Sequence, residues 1–177
     1  MKKLLAIAVL LLALPMLASA QDSDHPYRGQ GYAFLGLGTS LGFPSNHPFI
    51  QQWGGGGEGF LYKGFGVGAE VGYGYWGSRE YQAYQQEWVA SGDLSYHFRR
   101  HAKRGQVDPF VVGGVTGFFP TSHGRGAPGG NFGGGGNVWF KRRAALRFEF
   151  RDHVSAYWNS FTPGNHYLSF RVGATFR

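Results

Sequence analysis

The stretch His166-Tyr-Leu-Ser-Phe-Arg-Val-Gly-Ala-Thr-Phe176 decides the fold. Leu168, Phe170, Val172, Ala174 and Phe176 are apolar, while Tyr167, Ser169, Arg171, Gly173 and Thr175 between them are polar or small. A period of two gives a strand with one greasy and one wet face. The same alternation recurs upstream, behind an export signal. A closed barrel whose apolar side faces lipid accommodates such strands without needing a second apolar layer.

Residues 64–76 form the next clearest strand. Phe65, Val67, Ala69, Val71, Tyr73 and Tyr75 share one face, and Gly64, Gly66, Gly68, Glu70, Gly72 and Gly74 share the other. Glycine at alternate positions excludes a helix, since each costs about 1 kcal/mol relative to alanine. Small interior residues leave room for large neighbours in a narrow barrel and let the sheet bend. Over residues 87–98, Trp88, Ala90, Leu94, Tyr96 and Phe98 read outward, with Glu87, Ser91, Asp93, Ser95 and His97 inward. Over 145–151, Leu146, Phe148 and Phe150 alternate with Arg147, Glu149 and Arg151.

Four weaker segments complete the set: Tyr32 to Ser40, Trp53 to Leu61, Phe110 to Phe119 and Phe132 to Phe140. Valines on both parities leave the face assignment of Phe110 to Phe119 open. The expectation is an all-β chain, an eight-stranded antiparallel up-and-down transmembrane barrel. Its even strand number returns the C-terminus to the side of the N-terminus, both periplasmic.

Residues 1–20 read as a cleaved signal peptide. Lys2 and Lys3 precede the apolar run Leu4 to Leu14, and Ala18-Ser19-Ala20 supplies the small-residue cleavage site. Residues 21–29 are then a short periplasmic segment, and 30–177 the barrel. The absence of cysteine excludes a lipid-anchored N-terminus, disulfides and thiolate metal sites. Glycine (31 residues) and aromatics (18%) are abundant, whereas hydrophobic content is only 42%. A transmembrane barrel has this profile because only alternate residues need be apolar.

The connections alternate in character. Short or basic turns carry Lys63, then Arg99, Arg100, Lys103 and Arg104, then Lys141, Arg142 and Arg143. Longer, nearly neutral loops lie at Gly42 to Gln51, Gly77 to Gln86, Pro120 to Asn131 and Ser155 to Asn165. Outer-membrane barrels have short periplasmic turns and long external loops. The basic turns are therefore expected at the periplasmic rim, where they meet anionic headgroups or are simply solvated. Nucleic acid is not an expected partner, because the cations sit in separate turns rather than along one strand face.

The Gly-rich strands Gly54 to Gly59 and Gly133 to Gly136, the Leu146–Arg151 strand and the closing Leu168–Phe176 strand carry a family resemblance. From about Gln30 onward the chain resembles the small outer-membrane β-barrel family, the OmpX-like and OmpA-membrane-domain-like eight-stranded barrels. The resemblance implies residence in the bacterial outer membrane, among phospholipid and lipopolysaccharide. It also implies delivery by periplasmic chaperones to the outer-membrane assembly machinery. Phe170, Val172, Gly173 and Phe176 are similar to the terminal signal that this machinery reads, although Arg177 follows the aromatic here. A peptidoglycan-binding domain like that of full-length OmpA is not expected. Relatives serve as structural, adhesive, pore-like and enzymatic proteins, so fold does not give function.

Within the barrel, Glu58, Glu70, Asp93, Arg147, Glu149, Arg151 and Arg171 share the inward parity. Unpaired charges in a tight interior are costly, so these are expected to pair as a structural network that plugs the lumen. A low-conductance pore, in which the network rearranges, is the alternative. His153-Val154-Ser155 resembles the His-x-Ser pair of the lipid A deacylase barrels, where histidine activates serine. Asp152 points to the opposite face, and the last strand offers Asn165 and His166 where that family supplies an acid, so an enzyme is not expected. No metal or cofactor is expected. His25, His47, His97, His101, His123 and His166 lack ligand spacing, and no helix or Lys-Ser/Thr pair follows Gly55 to Gly59 or Gly133 to Gly136. Trp53, Trp88, Trp139, Tyr75 and Tyr96 are candidates for interfacial girdles.

Overall fold

The computed structural model describes residues 28–41, 49–78, 83–99, 102–121, 126–156 and 163–177. Residues 1–20, read above as a signal peptide, most of the 21–29 segment, Arg100, His25, His47, His101 and His123 lie outside these residues. Eight strands follow one another: β1 (Gly29–Leu41), β2 (Phe49–Tyr62), β3 (Phe65–Ser78), β4 (Ala83–His97), β5 (Val107–Pro120), β6 (Ala127–Trp139), β7 (Ala144–Ala156) and β8 (Pro163–Phe176). Each pairs antiparallel with the next, and β8 returns to β1, which closes the barrel. Closure leaves no sheet edge unpaired.

The strands run longer than the alternating segments, with β4 starting at Ala83 rather than Glu87 and β8 at Pro163 rather than His166. Hairpin pairing continues past the apolar wall into polar residues, where the period-two signal vanishes. The short connections lie together at one end, here the turn end, where β1 also begins and β8 ends. Lys63 (φ 40°) and Gly64 (φ 93°) make the two-residue turn between β2 and β3. Two successive positive φ angles match the strand twist.

The outward face is apolar around the wall. Leu35 on β1, Val71 on β3, Leu94 on β4, Val115 on β5, Phe150 on β7 and Phe170 on β8 are all exposed, Val115 and Leu35 about 70%. A belt of this extent exceeds the apolar patches of a water-facing monomer. Trp53, Tyr73 and Trp88 form an aromatic chain toward the loop end, with successive centroids 5.0 Å apart. Phe65, Tyr96 and Phe98 form another at the turn end, at 4.7 and 5.0 Å. The ten-residue step from Phe65 to Tyr75, at about 3.3 Å per residue and about 40° tilt, spans about 25 Å. That is the height of a lipid-facing band.

The inward face is filled by matching large residues against glycine. Phe34 sits opposite Gly54 and Tyr32 opposite Gly56. A Cβ on Gly54 would lie 2.9 Å from the Phe34 ring, and one on Gly56 2.8 Å from the Tyr32 hydroxyl. Gly135 stands in the same relation to Phe110, at 3.0 Å. The structure also settles β5: Phe110, Val112 and Phe118 point inward, and Val111, Val115 and Phe119 outward. Both parities are apolar because the glycines of β6 admit aromatic rings to the lumen.

Trp139 corrects an expectation. Instead of joining a girdle it is wholly buried at the turn end with Ala102 and Ala145. The Arg177 guanidinium lies 3.7 Å over its ring, and Arg177 donates from Nη2 to the Ala102 carbonyl and from Nε to the Arg142 carbonyl. Residues beyond the lipid band obey interior packing, so an aromatic at a strand end need not face the interface.

Candidate functional site in the barrel interior

Side-chain alternation on β2, β3, β4, β7 and β8 brings Glu58, Glu70, Asp93, Arg147, Glu149, Arg151 and Arg171 into one connected network. Arg147, Glu149 and Arg151 occupy successive inward positions of β7. Glu149 bridges its neighbours, accepting from Arg147 Nε at 2.8 Å and from Arg151 Nε at 2.5 Å. Arg151 reaches across the lumen to Asp93 on β4, 3.1 Å from Nη1, and lies 3.8 Å from Glu70. Arg171 donates to Glu70 at 2.8 Å and to Gln52 at 3.0 Å. All these side chains are 6% exposed or less. At such burial each charge needs a partner, and the pairing supplies it.

Residues unread in the sequence complete the cluster. The Tyr32 hydroxyl donates to Glu70 at 3.0 Å. Asn131 donates to Asp93 at 2.8 Å and accepts from Arg151 at 2.6 Å. The Arg147 guanidinium lies between the Tyr32 and Phe110 rings, 4.1 and 4.0 Å from their centroids, and that of Arg171 lies 4.2 Å over Phe34. Stacking of this kind holds a planar cation while its edge serves the carboxylates. Inward parity marks the seven charged positions in the sequence, but their cross-lumen partners depend on register and stagger, which no local pattern encodes.

Toward the turn end, His97 stands between two carboxylates. Its Nδ1 is 2.7 Å from Asp108 and its Nε2 3.2 Å from Glu58. Two acceptors against two ring nitrogens suit a doubly protonated imidazolium. Ser95 also donates to Glu58, and Arg147 approaches Glu58 to 3.9 Å. Asp108 went unread because it precedes Pro109 at the start of β5. Phe34, Gln52, Glu70, Val89 and Arg171 line one narrow gap in the interior.

His153 and Ser155 lie elsewhere in the interior, toward the loop end. His153 is fully buried against Phe118, and neither ring nitrogen has a hydrogen-bond partner among the described residues. Ser155 Oγ accepts from the Asn165 amide at 3.3 Å. A serine nucleophile needs a hydrogen-bonded base and an orienting acid, an arrangement His153 does not make. Asp152 points outward and pairs with His166 Nδ1 at 2.8 Å, on the wall side of β7 and β8. Among the described residues no cluster of three or more His, Asp or Glu is arranged around a metal position. The glycine runs lie mid-strand in β2 and β6 rather than in phosphate-cradling loops.

Lys63, Arg99, Lys103, Arg104, Lys141, Arg142 and Arg143 all cluster at the turn end. Of the closing residues, Phe170 and Val172 are outward and exposed, and Phe176 pairs with both Ala144 and Gly31. Gly173 lies at the β8–β1 seam, where a Cβ would sit 2.1 Å from the Ala33 carbonyl oxygen.

No family model matches the chain, and no curated protein does. Solved structures do. The crystal structure of Neisserial surface protein A aligns with a TM-score of 0.60 at 11% identity, covering 84% of this chain and 96% of that one. The outer membrane protein OprG from Pseudomonas aeruginosa aligns at 0.56 and 9% identity, covering 86% and 96%. The N-terminal β-barrel domain of Pseudomonas aeruginosa OprF aligns at 0.52 and 17% identity, covering 84% and 100%. At these identities the likeness is one of fold: the chain is a closed eight-stranded antiparallel barrel, similar in fold to these small outer-membrane barrels.

Proposed function

We propose that this chain is a small bacterial outer-membrane protein with a structural or surface-interaction role, and that its lumen is closed by the charged network. The turn end faces the periplasm, and the loops at the other end form the contact surface outside. Periplasmic chaperones and the outer-membrane assembly machinery deliver it, with lipopolysaccharide and phospholipid as its surroundings. The observation that carries this reading is the pairing of Arg147, Arg151 and Arg171 with Glu149, Asp93 and Glu70 within the interior, inside an apolar wall. An eight-stranded lumen is just wide enough for side chains to fill it, and a filled, ion-paired lumen gives a rigid membrane body rather than a conduit. Catalysis is not part of the reading, because His153 is sealed away from lipid.

Planar-bilayer recording tests it. Purified barrel, shown to be folded by heat-modifiable migration on a denaturing gel, is expected to give no stable conductance steps. Well-resolved single-channel currents would favour the pore instead. Lipid A mass analysis after co-expression tests the enzymatic reading, with an unchanged acyl pattern expected.

A further inference from the structure

At the turn end, each short connection places a cation next in sequence to an outward aromatic residue. Lys63 lies between Tyr62 and Phe65, which are 62% and 56% exposed, with its Nζ 5.0 Å from the Tyr62 ring centre. Arg99 follows the exposed Phe98, and Lys141 the exposed Phe140. Lys103 and Arg104 are exposed in the β4–β5 connection, and Arg28 just before β1.

The described acids are withdrawn from this surface. Glu58, Glu70, Glu87, Asp93, Asp108 and Glu149 are turned into the lumen, and Asp152 is buried in the wall beside His166. Among the described side chains the turn end therefore presents one sign of charge at the margin of the apolar wall. Turns that only need solvation can mix both signs, and segregation of this kind creates a field that selects an anion.

We propose that the turn-end rim binds anionic phospholipid headgroups, with the cations reaching the phosphates and the aromatic rings seated at the headgroup level. This rests on the membrane-spanning reading above. A ring of separate cationic turns around a closed circumference fits an annulus of lipids. A soluble polyanion would need a continuous track, and the exposed rings next to Lys63, Arg99 and Lys141 would gain nothing from it.

The full barrel is reconstituted in phosphatidylcholine vesicles containing spin-labelled phosphatidylglycerol or spin-labelled phosphatidylcholine. The motionally restricted fraction is then read by electron paramagnetic resonance. Several-fold stronger association of phosphatidylglycerol is expected at low salt, and it should shrink toward parity at about 1 M, where screening acts over about 3 Å. The Lys63→Gln/Arg99→Gln/Lys103→Gln/Lys141→Gln variant, checked by heat-modifiable migration, is expected to lose most of the preference. If that variant does not fold, Lys63→Gln/Lys141→Gln and Arg99→Gln/Lys103→Gln are each expected to lose part of it.

Equal association of the two lipids with wild type, or an undiminished preference in folded variants, would overturn the proposal. So would binding of labelled polyglutamate to the detergent-solubilised barrel without any lipid preference. Absence of a restricted component with either lipid would instead refute the membrane-spanning reading itself.

Discussion

Arg147 shows what a single charge does in this interior. Its guanidinium is stacked between two rings and tied to Glu149, which also holds Arg151. Replacing Arg147 with Met keeps the stem but leaves Glu149 and Glu58 short of a cation. Loss of about 3–5 kcal/mol is expected, as when one partner of a buried pair is removed. The Arg147→Met/Glu149→Gln double variant should recover only part of that loss, because Arg151 then loses its closest acid. Urea unfolding in lipid vesicles reads both, and a mild single-variant effect would point to water in the lumen. The outward pair is a second case. Removing His166 as His166→Leu should strand the buried Asp152 carboxylate in the wall, and Asp152→Leu/His166→Leu should be the more stable of the two variants in the same assay. Membership of the inward set was legible from parity alone. Partnership was not, since Arg151 meets Asp93 across 58 residues of chain and Arg171 meets Glu70 across 101.

Strand β3 carries the clearest prediction at the scale of an element. Val71 stands midway along the outward face, and Phe65 and Tyr75 near its margins. Arginine at Val71 is expected to cost about 2–4 kcal/mol, and at Phe65 or Tyr75 about 0–1 kcal/mol, because the margins are wet. Folding free energies measured in vesicles should show that depth profile, and a flat profile would mean that β3 does not cross lipid. The same strand was read correctly in sequence because glycine on one side and large apolar residues on the other leave a single interpretation. Strand β5 leaves its faces open in sequence, since Phe110, Val112 and Phe118 fill the lumen while Val111, Val115 and Phe119 face out. Its orientation depends on the room left by Gly129 and Gly135 on β6, a property of the neighbouring strand. Trp139 was misread for a related reason. Its environment is made by Ala102, Ala145 and Arg177, from three different segments.

At the scale of the whole molecule, the β8–β1 seam turns a sheet into a barrel, and β8 is also the expected address for assembly. The two roles make separable demands. Gly173 meets the Ala33 carbonyl so closely that a side chain cannot enter without moving backbone, which is a demand of closure. Phe176 points outward at the strand end, paired with Gly31 and Ala144, where a polar replacement leaves the backbone pairing intact. Gly173→Val is therefore expected to fail both in cells and when purified chain is folded directly into vesicles. Phe176→Gln should fold in vesicles nearly as well as wild type, yet reach the outer membrane poorly, with the remainder degraded in the periplasm. Fractionation alongside vesicle folding distinguishes the two. Normal outer-membrane levels of Phe176→Gln, and of a Phe170→Ser/Phe176→Gln double variant, would remove the addressing role and leave β8 as the closing strand alone.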